Sequence, residues 1–186
     1  MTLKKGDKKM KKVLVVEDRT EFMAAAKDFF AGVAVEVTFV SSYEEAKALL
    51  KSDAAFDMAL IDVFMPSPIL ARFDAIKLLD LSPDDIQNRA AGGDFDRFMA
   101  SVMAIMADTE ESPVGLLLYG EAKSKGVKTL LVTSLWHHSE KFEAVYRYLV
   151  VKSGRFYEGV EGSNRRAKAE YCKDCPEFWA KAYEML

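Results

Sequence analysis

Short apolar runs of strand length alternate with amphipathic helical stretches, and this alternation constrains the fold of the chain more than any other feature. Val13–Val16 reads as a buried strand, and a helix follows over roughly Thr20–Ala31, with Phe22, Ala26, Phe29 and Phe30 on one stripe and Gly32 as its stop. Val33–Val40 is a β-branched second strand. Ser42 with Glu45 three positions on has capping-box spacing for a helix whose apolar face is Ala46, Leu49 and Leu50. Phe56–Ile61 is a third strand, and Pro66 closes the loop beyond it. After Pro113, Val114–Ser124 is helical up to Gly126, Val127–Thr133 is a fourth strand and Glu140–Val151 a long helix. Gly154 can stop that helix, Arg155–Val160 is a short fifth strand, and Pro176–Leu186 is an amphipathic closing helix. Five alternations of strand and helix predict an α/β protein with a doubly wound, five-stranded parallel sheet covered on both faces.

The length of 186 residues suits one domain with a full core and a sizeable insertion. Half the residues are hydrophobic and the net charge is −3, so there is no global footprint for nucleic acid. No apolar run approaches the length of a membrane span. The first twelve residues carry six lysines and no apolar stretch, which reads as a basic tail over 1–11 rather than a signal peptide. With two cysteines and no export signal, the expected setting is the cytoplasm, with reduced thiols.

Three carboxylates end these strands: Glu17 and Asp18 after the first, and Asp62 after the third. In an open parallel sheet such endings face the crevice outside the carboxyl edge, where these folds bind ligands. Three carboxylates gathered there repel one another, and a hard divalent cation such as Mg²⁺ relieves the repulsion.

Val15-Val16-Glu17-Asp18, with Asp62-Val63-Phe64-Met65-Pro66 after the third strand and Leu131-Val132-Thr133-Ser134 on the fourth, resembles the receiver domain of two-component response regulators, which are flavodoxin-like in fold and typified by CheY. The resemblance covers residues 11–66 and 113–135 well and the C-terminal third in outline. It implies that Asp62 is a phosphoacceptor forming an aspartyl phosphate, that Glu17, Asp18 and Asp62 hold Mg²⁺, and that Thr133, or failing it Ser134, donates a hydroxyl hydrogen bond to the phosphoryl oxygens. It further implies a histidine kinase or phosphotransfer protein as donor, an output protein as partner, and a two-state surface from strand four to the last helix; the insertion over 67–112 could serve as a lid over the pocket, or as a docking or homodimer surface.

Three departures from the family stand out. The phosphate-contacting lysine at the end of strand five has no obvious position: Lys152 and Lys168 are the candidates, and its absence is the third possibility. Lys152 falls at helical spacing with Phe142, Val145 and Leu149, which places it in the preceding helix. Residues 67–112 form a helical insertion after strand three, with one helix around Ile76, Leu78 and Leu79 and another bearing Phe95, Phe98, Met99, Val102, Met103 and Met106, broken at Ala90-Ala91-Gly92-Gly93. That apolar stripe is expected to meet the main domain; an adaptable partner groove is the other reading. The third departure is that no second domain is expected after the last helix, and a receiver of that kind is expected to act through a partner.

Weaker signals complete the reading. Cys172-Lys173-Asp174-Cys175 offers two zinc ligands where zinc wants four, so these read as loop cysteines. His137 and His138 follow Thr133-Ser134 closely, in a loop beside the expected site. Two other functions stay open: a degenerate receiver that binds partners without phosphorylation, and a Mg²⁺-dependent phosphatase-like enzyme with Asp62 as nucleophile. The second is disfavoured because haloacid-dehalogenase-type enzymes place an acid two residues after the nucleophile, and here that residue is Phe64.

Overall fold

The computed structural model describes residues 10–82, 85, 95–108, 110–135, 139–152, 154–158 and 169–186. Five strands run in the order β2-β1-β3-β4-β5: β1 Lys12–Val16, β2 Glu36–Val40, β3 Met58–Asp62, β4 Lys128–Thr133 and β5 Phe156–Glu158. Every neighbouring pair is parallel. This is the flavodoxin-like order, and the predicted doubly wound α/β fold is the observed one. Around the sheet lie α1 Thr20–Phe30, α2 Tyr43–Lys51, α3 Ile69–Leu78, α4 Phe95–Ala107, α5 Gly115–Ser124, α6 Glu140–Val151 and α7 Pro176–Glu184. No helix among the described residues is long and apolar enough to cross a membrane.

Strand side chains alternate between the two faces, and the sequence supplies apolar residues for both. Val13, Val15, Met58, Leu60, Leu130 and Val132 pack under α1 and α7, against Phe22, Phe30, Phe178 and Trp179. Leu14, Val16, Ala59, Ile61 and Leu131 face the other way and meet α2, α5 and α6 through Leu50, Leu118 and Phe142. The chain reverses direction across the sheet between β2 and β3. With right-handed crossovers, that reversal sends α1 to one face and α2, α5 and α6 to the other.

Local signals set the helix ends. Ser42 Oγ accepts from the Glu45 N–H at 3.2 Å, and Ser139 caps α6 through the Phe142 N–H. Gly126 sits at φ 75° just after α5, with the Gly126 N–H bonding to the Lys123 carbonyl and the Val127 N–H to the Ala122 carbonyl. This is a Schellman turn, and the positive φ calls for the glycine.

The insertion begins and ends at one point. Met65 and Ser112 form an antiparallel bridge through two 3.2 Å backbone bonds, and the Ser67 and Ser112 hydroxyls pair at 2.7 Å. Among the described residues, α3 and α4 lie where the two helices were expected; the break at Ala90–Gly93 lies outside the described residues. The apolar stripe of α4 divides. Phe98 and Ile105 are buried, with Phe95 and Val102 packed beside them, whereas Met99, Met103 and Met106 are exposed, so the reading of the whole stripe as core contact holds only for its inner half. Ser101 explains the fit: its hydroxyl is buried and accepts from the Ala144 N–H at 2.8 Å, which fixes α4 against α6 on that side.

Gly115 opens α5 against the end of β3. A Cβ there would lie 2.0 Å from the Asp62 carbonyl oxygen and 2.8 Å from Val63 Cα, and the Gly115 N–H already bonds the Val63 carbonyl. Since both obstacles are backbone, Gly115→Ala is expected to cost about 1–3 kcal/mol and to displace Asp62. Urea unfolding measures the cost, and backbone NMR shifts at Asp62 and Val63 report the displacement.

Candidate functional site

The strand order reverses between β1 and β3, and the crevice at such a switch point opens at their carboxyl ends. The register that pairs Val16 with Ile61 places Glu17 level with Asp62 when continued one step. Glu17 donates its N–H to the Val40 carbonyl, so the backbone that carries it is still held by the sheet. Glu17, Asp18 and Asp62 each bring a carboxylate oxygen to within 4.8 Å of the others. The three acids singled out in the sequence are therefore one cluster.

A lysine lies among them. Lys173 Nζ is 2.6 Å from Glu17 Oε2 and 2.8 Å from Asp62 Oδ1, and its side chain is 1% exposed. The ammonium also lies 5.0 Å from the Phe22 ring centroid, and the Lys173 carbonyl accepts from Trp179 Nε1 at 3.0 Å. Trp179 and Phe178 are fully buried under the sheet, so packing of α7 seats the lysine. The expectation of Lys152 is corrected: the ammonium on Asp62 belongs to Lys173. Lys152 caps the far end of α6, eleven residues beyond Lys141, which lines the site; at the helical rise that is about 16 Å away. It lines a separate cavity with Leu116, Tyr119 and Tyr148. Lys168 lies outside the described residues, as do His137 and His138. The ammonium that pairs with Asp62 comes from the turn that leads into α7.

The oxygens of the cluster are not equally occupied. Glu17 Oε1 accepts from the Arg19 N–H at 3.2 Å, and its Oε2 is taken by Lys173. Asp62 Oδ1 receives both Lys173 and the Val63 N–H, which leaves Oδ2 for a ligand. Asp18 Oδ1 is buried with no hydrogen-bond partner. An orphaned carboxylate oxygen, all-oxygen donors and a formal charge of −2 for three carboxylates and one ammonium suit a hard divalent cation. Asp18 and Asp62 are the open ligands, and Glu17 closes the acidic wall behind them.

A cleft of about 210 Å³ opens in front of Asp62, lined also by Arg19, Phe64, Glu111, Thr133, Ser134, Leu135 and Lys141. Thr133 ends β4 and is buried; its hydroxyl oxygen accepts from the Leu135 N–H at 3.1 Å, so its own proton is left for a group in the cleft. The returning end of the insertion supplies the rim. Lys141 Nζ pairs with Asp108 at 2.6 Å and Glu111 at 3.0 Å and lies 4.9 Å from the Phe64 ring centroid. Burial works against the Asp108 carboxylate, but Lys141 and the N–H groups of Glu111 and Glu110 outweigh it and bring its pKa to about 2.

Burial and the neighbouring Asp62 push Glu17 up to about 8 and Asp18 up to about 6. Burial also raises Asp62, against the pull of Lys173. Burial works against the Lys173 ammonium, yet Asp62 and Glu17 raise its pKa. Cys175 is pushed up by burial and by Asp174, so its place at the start of α7 does not acidify it.

No protein-family model matches the chain, and no curated protein does. In structure it is similar to a response regulator receiver domain protein (CheY-like) from Methanospirillum hungatei JF-1. The identity is 17%, over 95% of this chain and 99% of that one, with a TM-score of 0.44. A likeness of that size carries no chemistry across; the chemistry has to come from the residues.

Two outcomes follow from the electrostatics. Between the ordinary carboxylate pKa and the raised values, the folded protein holds protons that the unfolded chain has released, so its stability falls as pH rises. The Lys173 ammonium stays charged through this range, whereas the proton held by Glu17 weakens that side of the cluster until it is released. In chelator, Tm is expected to fall from about pH 5 to about pH 8, and millimolar Mg²⁺ to flatten the slope. Lys173→Met is expected to cost about 3–5 kcal/mol near pH 8, since it strands two buried carboxylates, and less near pH 5, where they take up protons. Urea unfolding at the two pH values checks this.

Proposed function

We propose that this protein is a receiver-type signalling module that accepts a phosphoryl group on Asp62. One observation carries the reading: Asp62 has one oxygen held by the buried Lys173 ammonium and the other left for a cleft that Thr133 also lines. In the transfer, Asp62 Oδ2 attacks phosphorus, an O–P bond forms, and the bond to the donor's leaving group breaks with its electron pair departing on that group. Lys173 offsets charge at Oδ1 throughout. Thr133 donates its hydroxyl proton to a phosphoryl oxygen, and Arg19 and Lys141 border the space in which the added charge appears. Asp18 and Asp62, backed by Glu17, would hold Mg²⁺, which when bound neutralises phosphoryl charge.

The donor in this reading is a histidine kinase or phosphotransfer protein, and the output is contact with another protein, in the cytoplasm. A binding role independent of phosphorylation has its own support. Ile69, Leu70 and Phe73 of α3 and Met99, Met103 and Met106 of α4 expose large apolar side chains on the insertion.

Incubation with Mg²⁺ and acetyl phosphate is expected to add the mass of one phosphoryl group, and Asp62→Asn or chelation to abolish the gain. Beryllofluoride with Mg²⁺ is expected to shift the NMR signals of Asp62, Thr133 and Lys173. Unchanged mass and unchanged spectra would sink the phosphoacceptor reading and leave the binding module. Sustained turnover of a phosphate ester would favour the phosphatase-like enzyme instead.

A further inference from the structure

Lys173 is bracketed by the two cysteines of the chain. The Cys175 N–H donates to the Cys172 carbonyl at 2.8 Å, closing residues 172–175 into a tight turn with two half-buried thiols. The two sulfur atoms and a carboxylate oxygen of Asp174 all lie within 4.8 Å of one another. The residue between the two thiols carries the ammonium that pairs with Glu17 and Asp62.

We infer that Cys172 and Cys175 form a reversible disulfide, closed by a small-molecule disulfide of the glutathione type, and that closure loosens Lys173 from Glu17 and Asp62. A turn of this kind holds its end Cα atoms within the distance that a disulfide spans. Bonding then draws the sulfurs from contact to about 2 Å, which tightens the turn and moves the residue inside it. Lys173 has no slack to absorb the movement. Its ammonium is fixed by two ion pairs and its carbonyl by the Trp179 indole N–H, so a shift of its backbone lengthens one of these contacts.

The chemistry balances. The Cys172 thiol, as thiolate, attacks the small disulfide; a mixed disulfide forms and one small thiol leaves with the proton. Cys175 then attacks the Cys172 sulfur and expels the second small thiol with the other proton. The protein loses two electrons and two protons, and the small disulfide gains them. Cys175 is suited to the second step because its sulfur already lies within 4.8 Å of that of Cys172. A soft metal ion is the competing occupant, with three protein ligands where zinc takes four.

The inference goes beyond the phosphoacceptor reading and does not need it, because its readouts involve no phosphoryl transfer. Of the two tryptophans, Trp136→Phe leaves Trp179 as the single reporter, bonded to the Lys173 carbonyl. In this background, titration with mixtures of reduced and oxidised glutathione is expected to remove the mass of two hydrogens. Peptide mapping is expected to find one bond between Cys172 and Cys175. Trp179 emission should change in step, and Tm should fall, opposite in sign to an ordinary cross-link. Cys175→Ser, which keeps a good N-cap at the start of α7, and the double variant with Cys172→Ser are expected to form no such bond. A failure to form the bond, thiols that react only after a chelator is added, or a bond that leaves emission unchanged or raises Tm would each overturn the inference.

Discussion

The Lys173 ammonium between Glu17 and Asp62 is the interaction on which the rest of the site depends. Taking three charges out of water costs several kcal/mol each, and their mutual attraction offsets that cost only when the geometry is close. The geometry here is close, and it is assembled from opposite ends of the chain. The carboxylates stand on the two strands at the switch point, and the cation arrives with the last helix, seated by the burial of Phe178 and Trp179. The carboxyl edge of the sheet is therefore electrostatically complete only when α7 is docked. The same dependence places the cysteine turn, a feature of the C-terminal segment, within reach of the chemistry of β1 and β3.

The insertion acts on the opposite side of the cleft. Its returning end brings Asp108 and Glu111 to Lys141, so a second ion-pair cluster faces the first across Phe64 and Asp62. These side chains are partly exposed, and salt and solvent weaken such pairs far more than the buried set. The site therefore has a stiff wall, made by Lys173, and a softer rim, made by Lys141. New negative charge in the cleft would draw Lys141 away from Glu111 before it disturbed Lys173.

How much of this was legible in the sequence depended on the range over which each signal acts. The five strands, the capping role of Ser42 and the stop at Gly126 are local, and they follow from apolar runs and turn chemistry within a few residues. Glu17, Asp18 and Asp62 were legible because strand ends in this topology share an edge. Lys173 was not. It lies well beyond β5 in the sequence, between two cysteines, and only the packing of α7 brings it inward. One signal pointed to it: a lysine shortly before Pro176, which opens the helix after the last strand. The division of the α4 stripe was hidden for a related reason. Periodicity shows that Phe98 and Met103 share a helix, but not which of them the Ser101–Ala144 bond turns toward α6.

The bridge between Met65 and Ser112 has a consequence for the architecture of the chain. Paired residues of an antiparallel bridge stand about 5 Å apart, so the excursion between them leaves the sheet and returns to it with almost no net displacement. Strands β3 and β4 therefore keep their spacing whatever the length of the excursion, and the entropy of closing it grows only with the logarithm of that length. Such a neck makes the segment a detachable annex: it can be lengthened, trimmed or exchanged without re-registering the sheet, and diversity of partner can accumulate there while the acidic edge stays as it is.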